Sequence, residues 1–417
     1  MKAIRFHASI PRYVLTKGLG KISKSAYYKF LTPTKLDEIP EPKIRPEWVK
    51  IKTIYAGICG SDINTIMLKE SPLLEPICSF PSVLGHEAIG IIDKVGEGVT
   101  TLKQGDRVVV DPILSCKVRG IRPLCVNCEN GNTVRCDNFD SGNLSRGFDL
   151  GWCRDTGGGF SQFFLAHHSQ VYKIPEVVSN ENAVLIEPFT IGLHAVMRHF
   201  PKDSDTVLIV GTGVIGIMVM IALRVLGSKA KIIAIDKTNQ REVAIEKCKA
   251  DNFIQVTKGY YKELAKELNI KLYRPLLHRL YGPIIKKKDL TVGGGADIVF
   301  ECVGLPSTIE DALRFTKGGG KMVLIGNPEE LTVDWSLVWF KELQICGSFG
   351  SCMETDEFGT KKHAFETALE LISSGKVDLS WIVTHKFQFP DEYKKAFKYS
   401  MNKGKFNVTK AVFTFLE

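Results

Sequence analysis

The sequence predicts an α/β protein with two domains, one rich in β-strands and the other built around a parallel sheet. The first third of the 417-residue chain contains short Val- and Ile-rich segments, such as VKIKTIYAGI and AIGIIDKVG, bounded by Gly, Asp and Pro. In the middle, apolar strands such as TVLIV and KIIAID alternate with helical stretches, which indicates βαβ crossovers. Short strands return after a helix at KHAFETALELISSG. We therefore assign residues 1–189 and 348–417 to the first domain and residues 190–347 to the second.

The composition is that of a globular protein with an apolar core, since 44% of the residues are hydrophobic and 24% are charged. The start, MKAIRFHASI, lacks the pattern of a secretion signal. The apolar run at residues 206–226 contains three glycines and an arginine, which suits a strand, a turn and a helix better than a membrane span. We therefore expect a cytoplasmic protein with no membrane partner. In a reducing compartment, its 11 cysteines are expected to bind metal rather than form disulfides.

A glycine pattern follows the strand TVLIV and opens a predicted helix. Gly211, Gly213 and Gly216 form GxGxxG, and Asp236 ends the next strand 20 residues later. The three glycines allow a tight turn, a close approach of the backbone to a pyrophosphate, and packing of the helix on the strand. Asp236 would bind the ribose hydroxyls and repel a 2′-phosphate, so we expect a Rossmann domain that binds NAD rather than NADP. A glycine-rich turn that binds no ligand is the alternative.

Six further residues near this turn are predicted cofactor contacts: Val214, Ile215, Lys237, Arg241, Val303 and Ile325. The two basic residues among them follow Asp236 closely and could weaken the preference for NAD.

Four cysteines within 21 residues predict a structural zinc site: Cys116, Cys125, Cys128 and Cys136, spaced C-x8-C-x2-C-x7-C. Four thiolates complete the tetrahedral coordination of zinc and leave no open position, so the site would hold a loop together without carrying out chemistry. Unrelated cysteines, a redox CxxC motif and a zinc ribbon that reads nucleic acid are the alternatives. The segment lacks the strand and helix of a redox motif and the basic helix of a ribbon.

Two more motifs precede the cysteine cluster, and a third follows it. They are GICGSDIN with Cys59, FPSVLGHEAIG with His86, and IEPFTIGLHA with Glu187. With the four cysteines and the glycine turn in this order, nearly the whole chain resembles the zinc-dependent medium-chain alcohol/polyol dehydrogenases. The Glu-Pro at residues 187–188 resembles the threonine and sorbitol dehydrogenase branch. The resemblance implies a GroES-like catalytic domain beside the Rossmann domain, and a homodimer or homotetramer joined through sheet edges near residues 321–346.

The resemblance also implies roles for individual residues. The implied ligands of a catalytic zinc are Cys59, His86, and either Glu87 or Glu187. Asp62 would orient the His86 ring, Ser61 would take the proton of the alcohol, and Glu187 would otherwise hold a water molecule. The implied reaction is hydride transfer between NAD and a secondary alcohol, which could be a polyol, a sugar or a hydroxy-amino acid. His194 is expected to pack in its helix, and His167 and His168 to be surface or core residues.

Two local sequences depart from the family pattern near the implied site. Relatives carry a histidine at the position of Asn64, where it passes the proton to solvent, and an asparagine cannot titrate. The stretch KVRGIRPL places six extra residues between Cys116 and Cys125, so a longer loop must close before Cys116 can join the other three ligands.

Two longer segments are also enlarged. In residues 140–160, Cys153, Arg154 and Asp155 could contact substrate, although an ordinary surface loop is favoured. In residues 251–296, the part from Lys258 to Lys288 carries nine Lys or Arg against two Glu. A solvated helical insert broken at Pro275 is favoured over a surface for a partner subunit or acidic ligand, and nucleic-acid binding is not expected.

Two other functions are compatible with parts of the sequence. A zinc-free quinone or enoyl reductase of the same fold would lack Cys59, His86 and the four clustered cysteines. A non-catalytic zinc protein that binds through the basic insert would not need Asp236 or the Gly-His-Glu motif.

Overall fold

The structure, a computed structural model, describes residues 1–7, 9–29, 32–274, 289–355 and 359–415. The chain divides into two compact units, Met1–Thr190 with Gly350–Glu417, and Ile191–Phe349. Within the described residues, no helix is both long enough and apolar enough to cross a membrane.

The first unit is built mainly from strands. They are β1 (Lys2–Phe6), β2 (Thr34–Glu38), β3 (Trp48–Gly57), β4 (Ser82–Val83), β5 (Glu87–Val95), β6 (Arg107–Val110), β7 (Phe163–His167) and β8 (Val171–Lys173). The second unit then contributes β9 (Thr206–Val210), β10 (Lys231–Asp236), β11 (Asn252–Gln255), β12 (Lys271–Tyr273), β13 (Leu290–Val292), β14 (Ala296–Glu301), β15 (Thr316–Leu324) and β16 (Gln344–Gly347). The chain returns to the first unit with β17 (Met353–Thr355), β18 (Lys361–His363), β19 (Val383–Phe389) and β20 (Lys410–Phe415).

The helices of the first unit are short. They are α1 (Ile10–Ile22), α2 (Gly60–Ile66), α3 (Val126–Glu129) and α4 (Asn180–Ala183). Helix α5 (Ile186–Arg198) contains the boundary between the units. The second unit adds α6 (Val214–Val225), α7 (Tyr260–Glu267), α8 (Pro306–Phe315) and α9 (Ser336–Lys341), and the first unit ends with α10 (Ala364–Ser373), α11 (Tyr393–Ser400) and α12 (Lys403–Phe406).

In the first unit, one sheet has the strand order β19-β20-β3-β5-β6-β8, and β7 also pairs with β3. The order β2-β1-β4 forms a second sheet. Alternate residues of the large sheet point inward, so Ile51, Ala88, Val108 and Phe164 join one buried apolar cluster. The pairing sets Gly57, at the end of β3, opposite Glu87, at the start of β5. This register places the two loops that follow β3 and precede β5 side by side.

In the second unit, six parallel strands have the order β11-β10-β9-β14-β15-β16. Numbered along the chain this is 3-2-1-4-5-6, the order of a Rossmann sheet. All six strands therefore end on the same edge, where this fold binds its ligand. The core between sheet and helices includes Leu208, Ile233, Val299 and Leu313.

The enlarged segment at 251–296 differs from the helical insert that the sequence predicted. Helix α7 ends at Glu267, and Asn269 then adopts a left-handed conformation with φ 54°, which terminates a helix. The next residues form β12, which pairs antiparallel with β13. The predicted break at Pro275 and the basic residues at 279–288 lie outside the described residues.

Candidate metal centres and dinucleotide site

Cys59 lies in the loop after β3, directly before α2. Its backbone N–H donates to Asp62 Oδ2 at 2.9 Å, and the Gly85 N–H donates to Asp62 Oδ1 at 3.2 Å. Asp62 is completely buried. One carboxylate therefore joins the loop that carries Cys59 to the loop that carries His86.

Three side chains that could bind metal converge beside this carboxylate. Cys59, His86 and Glu87 each offer a ligand atom, and these atoms lie within 4.8 Å of one another. His86 Nδ1 lies 3.7 Å from Asp62 Oδ1, is buried, and has no hydrogen-bond partner. A thiolate, an imidazole and a carboxylate are a donor set that suits zinc with one position open. The residues present therefore fit a catalytic zinc ion.

The electrostatics of this group favour a bound cation. Burial disfavours a charge on His86, but the Asp62 carboxylate and the Cys59 thiol outweigh it and raise the pKa of His86 well above its usual value. The same carboxylate and thiol would stabilise a metal cation bound beside His86.

Glu87 also forms a buried ion pair with Lys410, the first residue of β20. Both side chains are 2% exposed. Burial disfavours the charged lysine, but the Glu87 carboxylate raises the pKa of Lys410. A Cβ at Gly57 would lie 2.0 Å from Glu87 Oε2, so a glycine is required at this position if the carboxylate is to keep its place.

The other predicted catalytic residues lie nearby, with different environments. Glu187, at the start of α5, is 6% exposed and falls outside the group of three ligand atoms. Burial raises the pKa of Glu187 to about 7, and the Glu87 carboxylate adds to the rise. Ser61 and Asn64 are half-buried on α2. The structure thus places Glu87, rather than Glu187, against Cys59 and His86.

Sequence reasoning missed three residues of the loop that packs against His86. The Trp152 ring lies 5.2 Å from the His86 ring, and Phe148 stacks on Trp152 at 5.5 Å. Asp149 is buried with Oδ1 unpaired, and burial raises the pKa of its carboxyl to about 7. All three belong to the enlarged loop at 140–160, where two aromatic residues next to glycines and a nearby acid were the available signal.

The three residues singled out in that loop have structural contacts instead. Cys153 is buried in an apolar cluster with Trp48 and Leu114. Arg154 donates to Ser145 Oγ at 3.0 Å, and Asp155 Oδ2 accepts from the Ser145 N–H at 2.6 Å. These contacts fix the shape of the loop.

The four clustered cysteines form a second group. The sulfur atoms of Cys116, Cys125, Cys128 and Cys136 lie within 4.8 Å of one another. The thiol of Cys128 hydrogen-bonds to Cys136 and holds the pKa of the Cys136 thiol at about 5, and the Asn138 N–H also donates to this sulfur, at 3.4 Å. Four sulfur atoms gathered within this distance match the number and type of ligands of a structural zinc ion.

The six extra residues between Cys116 and Cys125 are ordered around Arg119, which is completely buried. Its guanidinium donates to five carbonyl oxygens, those of Leu114, Ser141, Leu144, Ser145 and Gly147. Five donors thus meet five acceptors. Arg119 connects the insertion to the loop at 140–160 and leaves Cys116 within reach of the other three sulfurs.

The glycine turn lies between β9 and α6 in the second unit. Gly211 has φ 92°, and a Cβ there would lie 2.2 Å from Val303 Cγ2. A Cβ at Gly216 would lie 1.9 Å from the Gly211 carbonyl oxygen. Gly213 is exposed at the start of α6 and faces open space. The first and third glycines are therefore required by packing, while the second leaves room at a helix N-terminus where a pyrophosphate fits.

Asp236 ends β10 beside this turn. Its Oδ2 accepts from the Thr212 N–H at 2.7 Å, and its Oδ1 accepts from the Thr238 N–H at 2.8 Å. The remaining predicted contacts lie at the same edge of the sheet or just beyond it: Val214 and Ile215 open α6, Lys237 and Arg241 follow β10, and Val303 and Ile325 follow β14 and β15. The acid is therefore held against the glycine turn.

Comparison with known proteins identifies the family. Residues 45–176 match the alcohol dehydrogenase GroES-like domain, and residues 214–374 match the zinc-binding dehydrogenase family. The chain is 29% identical to L-idonate 5-dehydrogenase of Vitis vinifera over 396 residues, 94% of this chain and 95% of the relative. It is 27% identical to sorbitol dehydrogenase of Bacillus subtilis over 375 residues, 89% and 92% of the two chains. An alcohol dehydrogenase from E. coli CFT073, solved in complex with NADH, matches with a TM-score of 0.69 at 25% identity and covers 100% of this chain and 99% of its own.

The chain belongs to the zinc-dependent medium-chain alcohol/polyol dehydrogenases. The matches confirm the predicted fold class, a GroES-like domain with a Rossmann domain. The protein is therefore an oxidoreductase that acts on the CH–OH group of an alcohol, with zinc and a nicotinamide dinucleotide as its cofactors. Neither a zinc-free reductase nor a non-catalytic zinc protein is supported by these matches.

Proposed function

We propose that this enzyme oxidises a secondary alcohol of a small polyol or sugar-derived substrate with NAD. The group of half-buried Cys59 with buried His86 and Glu87 carries this proposal, because its donor set suits a zinc ion that keeps a position for a substrate oxygen. Relatives named for idonate, sorbitol and (R,R)-butanediol support a polyhydroxylated substrate. A hydroxy-amino acid is the weaker choice among the predicted substrates.

We assign Cys59, His86 and Glu87 as the ligands of the catalytic zinc. When bound, zinc would act as a Lewis acid that lowers the pKa of the alcohol. Asp62 positions this group, since it accepts from the Cys59 N–H and faces His86 Nδ1. That contact orients the imidazole and leaves its other nitrogen for the metal.

The proton of the alcohol goes to Ser61 in this proposal. Ser61 is half-buried on the first turn of α2, so its hydroxyl is not enclosed. Asn64 cannot titrate, and the proton therefore leaves Ser61 through water or the cofactor ribose. Glu187 is the second carboxylate, and we assign it the binding of a water molecule beside the Glu87–Lys410 pair.

The cofactor assignment follows from the second unit. The N-terminus of α6 faces the pyrophosphate, and Asp236 binds the ribose hydroxyls of NAD. The carboxylate stands against the glycine turn and would repel a 2′-phosphate there. The four cysteines at 116, 125, 128 and 136 hold the structural zinc.

We further propose a homo-oligomer formed through the edge of the Rossmann sheet. Strand β16 is the last strand of this sheet, and Ile345 on it is exposed. The nearby helix α9 and its N-cap expose Trp335, Trp339 and Phe340, with Trp339 83% exposed. An apolar cluster beside an open strand edge favours a protein interface. Light scattering should show that Trp339→Glu is shifted towards the monomer. A molar mass equal to that of the wild-type oligomer would exclude this edge as the subunit interface.

A substrate screen tests the proposed activity. The zinc-loaded enzyme is mixed with NAD or NADP and with sorbitol, L-idonate, 2,3-butanediol or L-threonine, and NADH formation is followed by absorbance. We expect turnover with a polyol and NAD, and none in Cys59→Ser. Cys346→Ser is the matched control, because both cysteines are half-buried. Turnover of threonine alone, or undiminished turnover in Cys59→Ser, would contradict the proposal.

A further inference from the structure

Helix α1 exposes its apolar side chains. It lies between β1 and β2, and Thr16 is its one buried residue. In contrast, Ile10 is 81% exposed, Val14 65% and Ile22 84%. A surface helix of a globular protein normally turns its apolar face inward. Helix α1 is reversed in this respect, with its polar side on the protein.

The exposed apolar residues form one stripe. Ile10, Val14 and Ile22 are separated by four and eight residues, so on a helix of 3.6 residues per turn they share an arc of about 120°. On the same helix, Lys21 lies between Ile10 and Val14, within this arc, and Lys17 lies about 20° outside it. Both lysines are exposed. The outer side of α1 is therefore apolar, with one lysine inside the apolar arc and one at its edge.

The N-terminal sequence that contains the helix carries charge of a single sign. Residues 1–36 contain eight Lys or Arg and no Asp or Glu. Lys17 donates to the Tyr13 hydroxyl at 2.8 Å, and neither Lys17 nor Lys21 forms an ion pair with any residue that the structure describes. Lys24 and Lys29 are exposed close to the end of the helix. The apolar stripe is thus accompanied by two exposed lysines, Lys17 and Lys21, whose charges no described acid compensates.

We propose that α1 docks this enzyme on an anionic lipid surface. The apolar stripe would enter the boundary between headgroups and acyl chains, and Lys17 and Lys21 would meet the headgroup charges. A second copy of this chain is a poor occupant, because two such faces would bring like charges together. The stripe lies on a single convex helix, which suits a flat surface.

This proposal does not rest on the substrate or the zinc ligands. It also departs from the expectation that the protein has no membrane partner. That expectation considered segments that cross a membrane, whereas α1 would lie in the plane of the surface. The result would be a dehydrogenase held at a membrane whose own alcohol substrate remains a small molecule.

Vesicle co-sedimentation of the full zinc-loaded protein tests the proposal. The probes are phosphatidylcholine vesicles with and without phosphatidylglycerol. We expect binding to the anionic vesicles, with affinity more than about tenfold lower for Val14→Asp/Ile22→Asp and for Lys17→Gln/Lys21→Gln. Val177→Asp is the control and should bind as the wild type does, because Val177 is 78% exposed elsewhere in the same unit. Thermal melts establish that each variant is folded.

Three results would overturn the proposal. Wild-type protein that stays in the supernatant with anionic vesicles excludes lipid docking. Equal binding to neutral and anionic vesicles would show that the lysines do not recognise anionic headgroups, which contradicts docking on an anionic surface. Self-association that Val14→Asp/Ile22→Asp abolishes, without vesicle binding, assigns the face to a second copy.

Discussion

Replacing Arg119 tests how the insertion between Cys116 and Cys125 is tolerated. Arg119→Met keeps much of the length of the side chain and removes its five donors. Each of the five carbonyl oxygens would then lose its hydrogen bond from the guanidinium. We expect the insertion and the loop at 140–160 to separate, which would release Cys116 from the other sulfurs.

The size of the effect follows from the burial of this group. Hydrogen bonds to charged groups contribute about 1.5–3 kcal/mol each, so a simple sum over five bonds would reach about 7–15 kcal/mol. That sum overstates the loss, because the buried guanidinium also carries a desolvation cost, which lowers the pKa of Arg119. Removing one partner of a buried charged network typically costs about 3–5 kcal/mol, and we expect that range for Arg119→Met.

Denaturant unfolding and zinc analysis measure this loss. Lys117→Met is the matched control, since Lys117 is exposed two residues away in the same insertion, and it should stay within about 0.5 kcal/mol of the wild type. After dialysis against a weak chelator, Arg119→Met should lose about one zinc per chain and the control none. The reasoning is refuted if the two variants are equally stable and retain equal zinc.

Three more variants test the electrostatic assignments. Lys410→Met should lower the free energy of unfolding of the metal-free enzyme by about 3–5 kcal/mol, because Glu87 stays buried without a partner. The loss should be smaller with zinc bound. Equal losses in the two forms would contradict a metal beside Glu87. Asp236→Ser should raise the ratio of kcat/KM with NADP to kcat/KM with NAD by about tenfold, because it removes a repulsion of about 1.4 kcal/mol between the carboxylate and the 2′-phosphate. An unchanged ratio would show that Asp236 does not set the cofactor preference. Burial lowers the pKa of His167 to about 4. Because the pKa of an unfolded histidine is about 6.5, His167 should lower the free energy of unfolding of the wild type by about 2 kcal/mol as pH falls from 7 to 5. His167→Gln should lack this contribution to the pH dependence of stability. An equal pH dependence in the two proteins would show that His167 is not buried as a neutral group.

Much of the fold could be predicted because its signals are local. The strands TVLIV and KIIAID are apolar along their whole length, which buried parallel strands require, and β9 and β10 occupy the predicted positions. The GxGxxG turn also carries its own physical explanation, since Gly211 and Gly216 have no room for a side chain. The predicted family and fold class are confirmed by the comparisons.

Features that depend on distant contacts could not be predicted. Arg119 looks like a surface residue in sequence, because an arginine is rarely buried without acids, and only its ring of carbonyls explains it. Trp152 reaches His86 across a separation of many residues that no local pattern reports. Helix α1 was not predicted from the sequence. Its apolar residues face outward, whereas the apolar residues of a surface helix normally mark the face that packs on the core.

The choice between Glu87 and Glu187 shows the same limit. Both follow recognisable motifs, and sequence spacing gave no reason to prefer either. The pairing of Gly57 with Glu87 places one carboxylate beside Cys59, while Glu187 arrives on α5 and lies outside the ligand group. The assignment of the ligands therefore required the register of two strands.

Zinc content per chain tests the central claim most directly. The account predicts about two zinc ions in the wild type, about one in Cys59→Ala and about one in Cys128→Ala, with each variant losing a different ion. Cys59→Ala should remain folded and inactive, whereas Cys128→Ala should lose stability. One zinc per chain that Cys59→Ala leaves unchanged would contradict a catalytic metal at Cys59, His86 and Glu87.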